Sequence, residues 1–278
     1  MQTAIIIGLL PLKIFGGEVL RVNYMEVIMV ITNYGEQIRG LFKVFSNEQI
    51  YVLWKAREAC CTDEQIDFLA NPSFSDSVMS VFLSGIEGGV SLEQLNQYTK
   101  FEYNEISEII YGLVTDKLSR EQVGIYAKEF FNQKQMFQIR VALKQGLSLE
   151  EVMSFAKPEY SWESMNVIMN GIKEGLSQEK IDKILLGVEK GLSLEEVYLI
   201  MENDYNCEQI EELILGFLRG EAYEVKVFAK PCFNSSQMRE IRLGFEDGLD
   251  KKQILAYANP DLSAENMYKI RKKLKKRR

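Results

Sequence analysis

The sequence predicts an all-α chain: an α-solenoid of about eight short helix–turn–helix repeats, period about 29 residues, wound into a right-handed superhelix. Three observations predict it. First, one apolar slot recurs along the chain, filled by Ile50, Met79, Ile106, Met136, Met165, Ile181, Ile210, Met238 and Met267. The steps between these residues are 29, 27, 30, 29, 16, 29, 28 and 29, and fixed-period self-similarity marks a repeat architecture. Second, further apolar residues follow the slot by three and seven positions, as in Ile139 and Leu143 or Ile241 and Phe245, which is one stripe of an α-helix. Third, the punctuation agrees with the stripe. A polar residue three before Gln or Asn opens the helix (Ser46 with Gln49, Asn206 with Gln209, Asn234 with Gln237, Ser263 with Asn266), in the pattern of a reciprocal capping box. A glycine ten positions past the slot closes it: Gly89, Gly146, Gly175, Gly191, Gly220 and Gly248.

In chain order, residues 1–45 read as a leader and a degenerate cap repeat, 46–266 as the repeat array, and 267–278 as a basic C-terminal capping helix. Met1 to Tyr24 does not fit the repeat. Its apolar run Ala4–Leu10 lacks the flanks of a secretory signal and is far short of the ~20 apolar residues of a membrane span. Three readings stay open there: a buried strand-like leader, a partner-binding segment, or an extension upstream of a start at Met25. Glu26 to Phe45 carries helical spacing and suits a terminal repeat, which has only one neighbour.

Within the array a second, shorter helix follows each glycine, opened by Thr62 with Gln65, Ser91 with Gln94, Ser148 with Glu151, Ser193 with Glu196 and Asp250 with Gln253. Pro72, Pro158, Pro231 and Pro260 end it in four copies, because proline disfavours helical geometry in the residue before it. The 16-residue step from Met165 to Ile181 is the irregularity. Ser177–Ile181 fits both a second helix and the next first helix, and loss of about one helix there predicts a local kink. The last stretch keeps Met267, Ile270 and Leu274 on one face and is basic elsewhere, as a docked end helix should be.

Composition narrows the chemistry. With 278 residues and 46% hydrophobic content the chain is long enough to bury a large apolar surface. There is no histidine, so the commonest general base and transition-metal ligand are absent. The four cysteines lack CxxC spacing, and Cys60–Cys61 sit where other repeats turn, which reads as small apolar filler. Glu150–Glu151 and Glu195–Glu196 fit caps and first turns better than a catalytic dyad. Neither a phosphate loop nor a nucleophile elbow is present. No enzyme, cofactor or metal is expected, and the expected location is cytoplasmic. The net charge of −7 divides unevenly: residues 265–278 carry +7 and the remaining 264 carry −14.

Three rows are candidates for function. Small residues six positions after the slot (Ala56, Gly85, Gly112, Ala142, Gly171, Gly187, Gly216, Gly244) imply close helix approach or else a groove floor. The large residues Leu69, Tyr98, Tyr126, Phe155, Ile200, Phe228 and Tyr257 read as core, with tyrosine hydroxyls at its edge. Asn71, Lys100, Lys128, Lys157, Lys230 and Asn259 read as last-turn residues that complement the helix dipole, or as a positive track interrupted by Glu202. Candidate partner or phosphate contacts are therefore Lys100, Lys128, Lys157 and Lys230, with Lys269, Arg271, Lys272, Lys273, Lys275, Lys276, Arg277 and Arg278 of the tail.

The repeat Gln-Met-x-x-Ile-Arg-x-Gly-(apolar)-x-x-Gly-Leu followed by Tyr-Ala-Lys/Asn-Pro, clearest in Gln237–Pro260 and Gln135–Pro158 (with Phe155 for the tyrosine), resembles helical-repeat proteins of Firmicutes mobile elements and phages. The resemblance covers about four-fifths of the chain. It implies a protein-interaction scaffold and carries over no catalytic residue. The expected function is therefore binding of another protein, basic in character, on the repeat surface; inhibition of a host defence nuclease is one specific version. The competing expectation is nucleic-acid binding by the lysine row and the tail.

Overall fold

The polar–apolar punctuation of the sequence becomes helix starts. A computed structural model describes residues 44–276, and among these sixteen helices and no strand are found. The protein is all-α. The leader, most of the cap repeat, Met25, Arg277 and Arg278 lie outside the described residues.

Nine helices are long, at 12 or 13 residues: α1 (Asn47–Glu58), α3 (Asp76–Glu87), α5 (Tyr103–Val114), α7 (Gln133–Lys144), α9 (Trp162–Lys173), α10 (Gln178–Glu189), α12 (Cys207–Arg219), α14 (Ser235–Glu246) and α16 (Ala264–Lys275). Seven are short, at 5 to 8 residues: α2 (Asp63–Leu69), α4 (Leu92–Tyr98), α6 (Arg120–Tyr126), α8 (Leu149–Phe155), α11 (Leu194–Met201), α13 (Ala222–Phe228) and α15 (Lys251–Leu255). They alternate except at α9 and α10. There the segment opened by Ser177 is a single long helix that packs directly on α9, so the short helix is the missing one.

Long and short helices begin alike. The N-cap side-chain oxygen accepts from the N3 amide in most of them, Glu102 and Glu221 excepted, and the N3 side chain usually accepts from the N-cap amide, as in Ser46–Gln49, Thr62–Gln65, Ser193–Glu196 and Asp250–Gln253. Ser263–Asn266 is a half-box, because only the N-cap bond forms and asparagine is one methylene shorter than glutamine. The residue before each long-helix cap is Phe45, Phe74, Phe101, Phe131, Tyr160, Leu176, Tyr205, Phe233 or Leu262. Paired with the recurring apolar slot at N4, it has the arrangement of a hydrophobic staple. Short helices repeat the device with Cys61 and Ile66, Val90 and Leu95, or Leu192 and Val197, all buried.

Helix ends show where the sequence reading needs correction. Gly89, Gly146, Gly175, Gly191 and Gly248 take positive φ, as expected of terminating glycines. Gly220 does not: its φ of −127° is extended, and only Gly220 and Glu221 separate α12 from α13. Cys60 is exposed with φ 58°, so it is the left-handed turn residue rather than apolar filler; Cys61 beside it is the buried one. Lys117, with φ 57°, has the same role after α5. The prolines fall after, not at, the short-helix ends: the C-caps are Ala70, Ala156 and Ala229, each two residues earlier.

The fold consists of two compact bodies, one ending at Lys144 and the other beginning at Gln145, a division that falls inside the predicted array. In the first body α1, α3, α5 and α7 pack successively on one another; in the second α9, α10, α12, α14 and α16 do the same. Short helices pack on long ones rather than on each other. The second body's core runs without a break from Val167 to Met267.

Candidate interaction surface

The frame that presents the surface is built by three recurring devices. In the first, capping glutamines reach beyond their own helix. Gln49 Nε2 donates to Phe74 O at 2.6 Å, Gln209 Nε2 to Phe233 O at 2.7 Å, and Gln237 Nε2 to Leu262 O at 2.7 Å. One side chain thus closes a capping box and ties the next repeat's turn to it.

The second device is the small-residue row, which is buried throughout. A Cβ on Gly216 would come 2.6 Å from Phe228 Cζ, and Cβ atoms on Gly112 and Gly244 would overlap the hydroxyls of Tyr126 and Tyr257. These glycines admit the large side chains of the paired short helix. Gly171 instead meets Ile181 at 2.7 Å, because α10 lies where a short helix would be. Gly216 also lines an open cleft of about 560 Å³ among α12, α13 and α14. The tyrosine hydroxyls do not reach the edge. Tyr126 Oη donates to Glu108 O at 3.3 Å and Tyr257 Oη to Glu240 O at 3.2 Å, and burial pushes both phenol pKa values up.

The third device is a buried arginine clamp between consecutive long helices. Arg140 Nε donates to Glu108 at 2.8 Å, Arg242 Nε to Glu212 at 2.8 Å, and Arg271 Nε to Glu240 at 2.8 Å. In each pair the arginine lies four residues past its own N4 slot and the glutamate two past the preceding slot. Arg140 and Arg271 add an aspartate at the end of the preceding long helix, Asp116 and Asp247, which also receives Lys144 or Lys275. At Arg242 the charges of that second pair are exchanged. Arg219 stands on α12 in place of the aspartate, and Glu246 on α14 binds both Arg242 (2.5 Å) and Arg219 (3.6 Å). Burial pushes the Asp247 carboxyl up, but hydrogen bonds from Lys275 and Arg271 outweigh it and hold it below the usual range.

These bonds decide which predicted contacts are available. Arg271 is 4% exposed and committed to its clamp, and Lys275 is paired with Asp247. Lys269 pairs with Glu265 at 2.7 Å, and Lys272 stacks 5.6 Å from the Tyr268 ring centre. Lys273 and Lys276 are exposed. In the lysine row Lys100 pairs with Glu129 and Lys157 lies over Tyr160, while Lys128 and Lys230 are exposed. The row is not in the last helical turn. Lys128, Lys157 and Lys230 sit two residues past their helices, each donating its amide two residues back at 2.7 Å and accepting from the amide three residues on. They are turn residues, and the dipole argument does not apply to them.

The second acid of each pair is a capping residue and the first lies in the opening turn. Glu151 Oε2 accepts from the Ser148 amide at 2.7 Å and its hydroxyl at 2.8 Å, bonds that lower its pKa. Glu196 Oε2 accepts from the Ser193 amide at 2.8 Å and its hydroxyl at 2.9 Å. Among the described residues no three His, Cys, Asp or Glu side chains gather as metal ligands, and no helix is long and apolar enough to cross a membrane.

The slots one and five residues past N4 on each long helix are exposed or half-buried. The first holds Tyr51, Ser80, Ser107, Phe137, Asn166, Asp182, Glu211, Arg239 and Tyr268; the second holds Lys55, Ser84, Tyr111, Val141, Asn170, Leu186, Leu215, Leu243 and Lys272. Tyr111 and Phe137 are 47% and 39% exposed and flank the Arg140 guanidinium, 4.5 and 5.2 Å from its carbon. On the other side, open clefts of about 470 Å³ between α2 and α4 and about 250 Å³ between α4 and α6 separate the short helices.

Fold and surface together define an all-α protein of alternating long and short helices with a uniform interior and a varied exterior. No family model, curated protein or solved structure matches the chain.

Proposed function

We propose that the chain is a non-enzymatic α-solenoid scaffold that binds another protein along its long helices. The observation that carries this reading is the contrast between slots. N4 holds only Ile or Met in nine copies, whereas the outward slot next to it holds aromatic, hydroxyl, amide, acidic and basic residues. A constant frame with a variable outer face is how repeat proteins make extended binding surfaces. We place the partner on the long-helix face, where the variable slots lie. The acidic balance of residues 1–264 selects a basic partner. A nucleic-acid-handling protein has that character, and the resemblance to mobile-element repeats makes a host defence nuclease the specific version.

Nucleic-acid binding remains the second reading, favoured by the exposed Lys128, Lys230, Lys273 and Lys276. It is weakened because Lys100, Lys269, Arg271 and Lys275 already have acidic partners. The two readings part on one experiment. Tagged full-length chain is passed through lysate of its host with and without nuclease. A specific protein that stays bound after nuclease treatment supports the scaffold. Retained nucleic acid, lost steeply with salt and on deletion of residues 267–278, replaces it with the second reading.

A further inference from the structure

Resting on that scaffold reading, we infer that a basic partner enters at the edge of α14 that α16 covers, by replacing α16 with a helix of the same side-chain pattern. The pattern is Met-x-x-Ile-Arg-x-x-Leu-Lys, and it occurs twice, as residues 136–144 of α7 and residues 267–275 of α16. Each copy docks on a like pair of acids. Arg140 and Lys144 meet Glu108 on α5 and Asp116 two residues past it. Arg271 and Lys275 meet Glu240 on α14 and Asp247 at its C-cap. Both bodies thus use one local code, an apolar stripe beside two cations that grip two carboxylates. Such a code reads the helix presented to it, not the chain to which that helix belongs.

The two copies differ in how firmly they are held. α7 packs on α5 and α6 and buries Met136, Ile139, Ala142 and Leu143. α16 packs on α14 and buries Met267 and Arg271, while Ile270 and Leu274 stay half-buried. An element with so little apolar burial opens at a lower free-energy cost than the rest of the fold. Opening leaves Glu240 and Asp247, 14% and 15% exposed as side chains, without their cations. A partner helix with arginine and lysine four residues apart, on the margin of a Met/Ile/Leu stripe, restores both pairs and the apolar contact. Its tether gives α16 an effective concentration on the order of millimolar. The partner therefore prevails through further contacts along the variable slots of the long helices, which joins this entry point to the scaffold surface.

The test uses the full-length chain and a fluorescent synthetic peptide of residues 262–276, with binding followed by anisotropy. Met267→Ala with Arg271→Ala in the chain loosens α16 and leaves α14 untouched. This loosened chain, its cooperative melting retained by circular dichroism, is expected to bind the peptide at least tenfold more tightly than wild type does. A peptide carrying Arg271→Glu and a scrambled peptide of unchanged composition are expected to bind the loosened chain at least tenfold more weakly, and neither control alters the chain. No gain on loosening α16, or equal binding by either control peptide, overturns the exchange. The lysate experiment, repeated with a Glu240→Gln, Asp247→Asn chain, separates this failure from that of the scaffold. A protein held by the loosened chain but lost by the Glu240→Gln, Asp247→Asn chain supports entry at α14, since both variants free α16 and only one removes the acceptor. A protein held equally by all three chains overturns entry at α14 and leaves the scaffold standing. Retention of nucleic acid alone removes the scaffold and the inference with it.

Discussion

A glycine in mid-helix ordinarily costs about 1 kcal/mol against alanine. The cost is tolerated at Gly244 because the Tyr257 ring occupies the space where a Cβ would be. Gly244→Ala should therefore destabilise by about 1–3 kcal/mol through overpacking rather than stabilise by propensity. Tyr257→Phe in the same chain should recover part of the loss by removing the overlapping hydroxyl. Gly85→Ala, whose Cβ would meet only the tips of Leu95 (3.0 Å) and Ile110 (3.2 Å), should be close to neutral. Urea midpoints of these variants and wild type check this, and a Gly244→Ala midpoint above wild type would remove the packing account. The small-residue row was legible in the sequence because its period is that of the repeat. The identity of its partner was not, since a hydroxyl beneath a glycine is a matter of distance between helices and leaves no spacing signal.

The arginine clamp couples neighbouring helices, and its logic is visible in the slots that lack it. Where the arginine slot holds Leu83, Ile110 or Leu185, the facing slot on the preceding helix holds Val52, Val81 or Val167; where it holds Arg140, Arg242 or Arg271, the facing slot holds Glu108, Glu212 or Glu240; Met169 and Ile214 face the polar Gln138 and Lys183. An apolar and an ionic filling therefore both fit this place, beside two mixed ones. Arg242 and Glu212 are 7% and 14% exposed as side chains. Removing one charge leaves the other buried, so Arg242→Leu alone should destabilise by about 3–5 kcal/mol. Arg242→Leu with Glu212→Val restores the apolar filling and should recover most of that, because Glu246 is partly exposed and can be solvated. A double-mutant cycle in urea measures the coupling, and additive losses would contradict the pairing. The arginine stands in the repeat consensus itself, in Gln-Met-x-x-Ile-Arg. Its partner could have been found by comparing slots two and four between adjacent repeats, instead of reading each repeat alone. Caps, termination glycines and the missing short helix at 165–181 were legible because they are local. The positive φ of Cys60 and the extended Gly220 were not, since turn conformation there follows from loop length rather than residue type.

In a chain built by stacking, stability is close to a sum over neighbours, and a cut should cost only what it uncovers. The second body offers a test because its core residues, Val167 through Met267, all lie within 145–278. A fragment of these 134 residues is long enough to bury most of its apolar surface. It should show helical circular dichroism and one cooperative melting transition when expressed alone. A fragment ending at residue 220 should not behave this way. It removes α13 and α14, both of which pack on α12, and it leaves Glu212 without Arg242. If 145–278 melts without cooperativity while the full chain melts cooperatively, the second body draws its stability from residues before 145, and the division at Lys144 has no energetic meaning. If 145–220 melts as sharply as 145–278, nearest-neighbour burial is not what holds the stack. Both results bear on binding, because a surface spread over helices that fold as one unit keeps its register only while those helices remain intact.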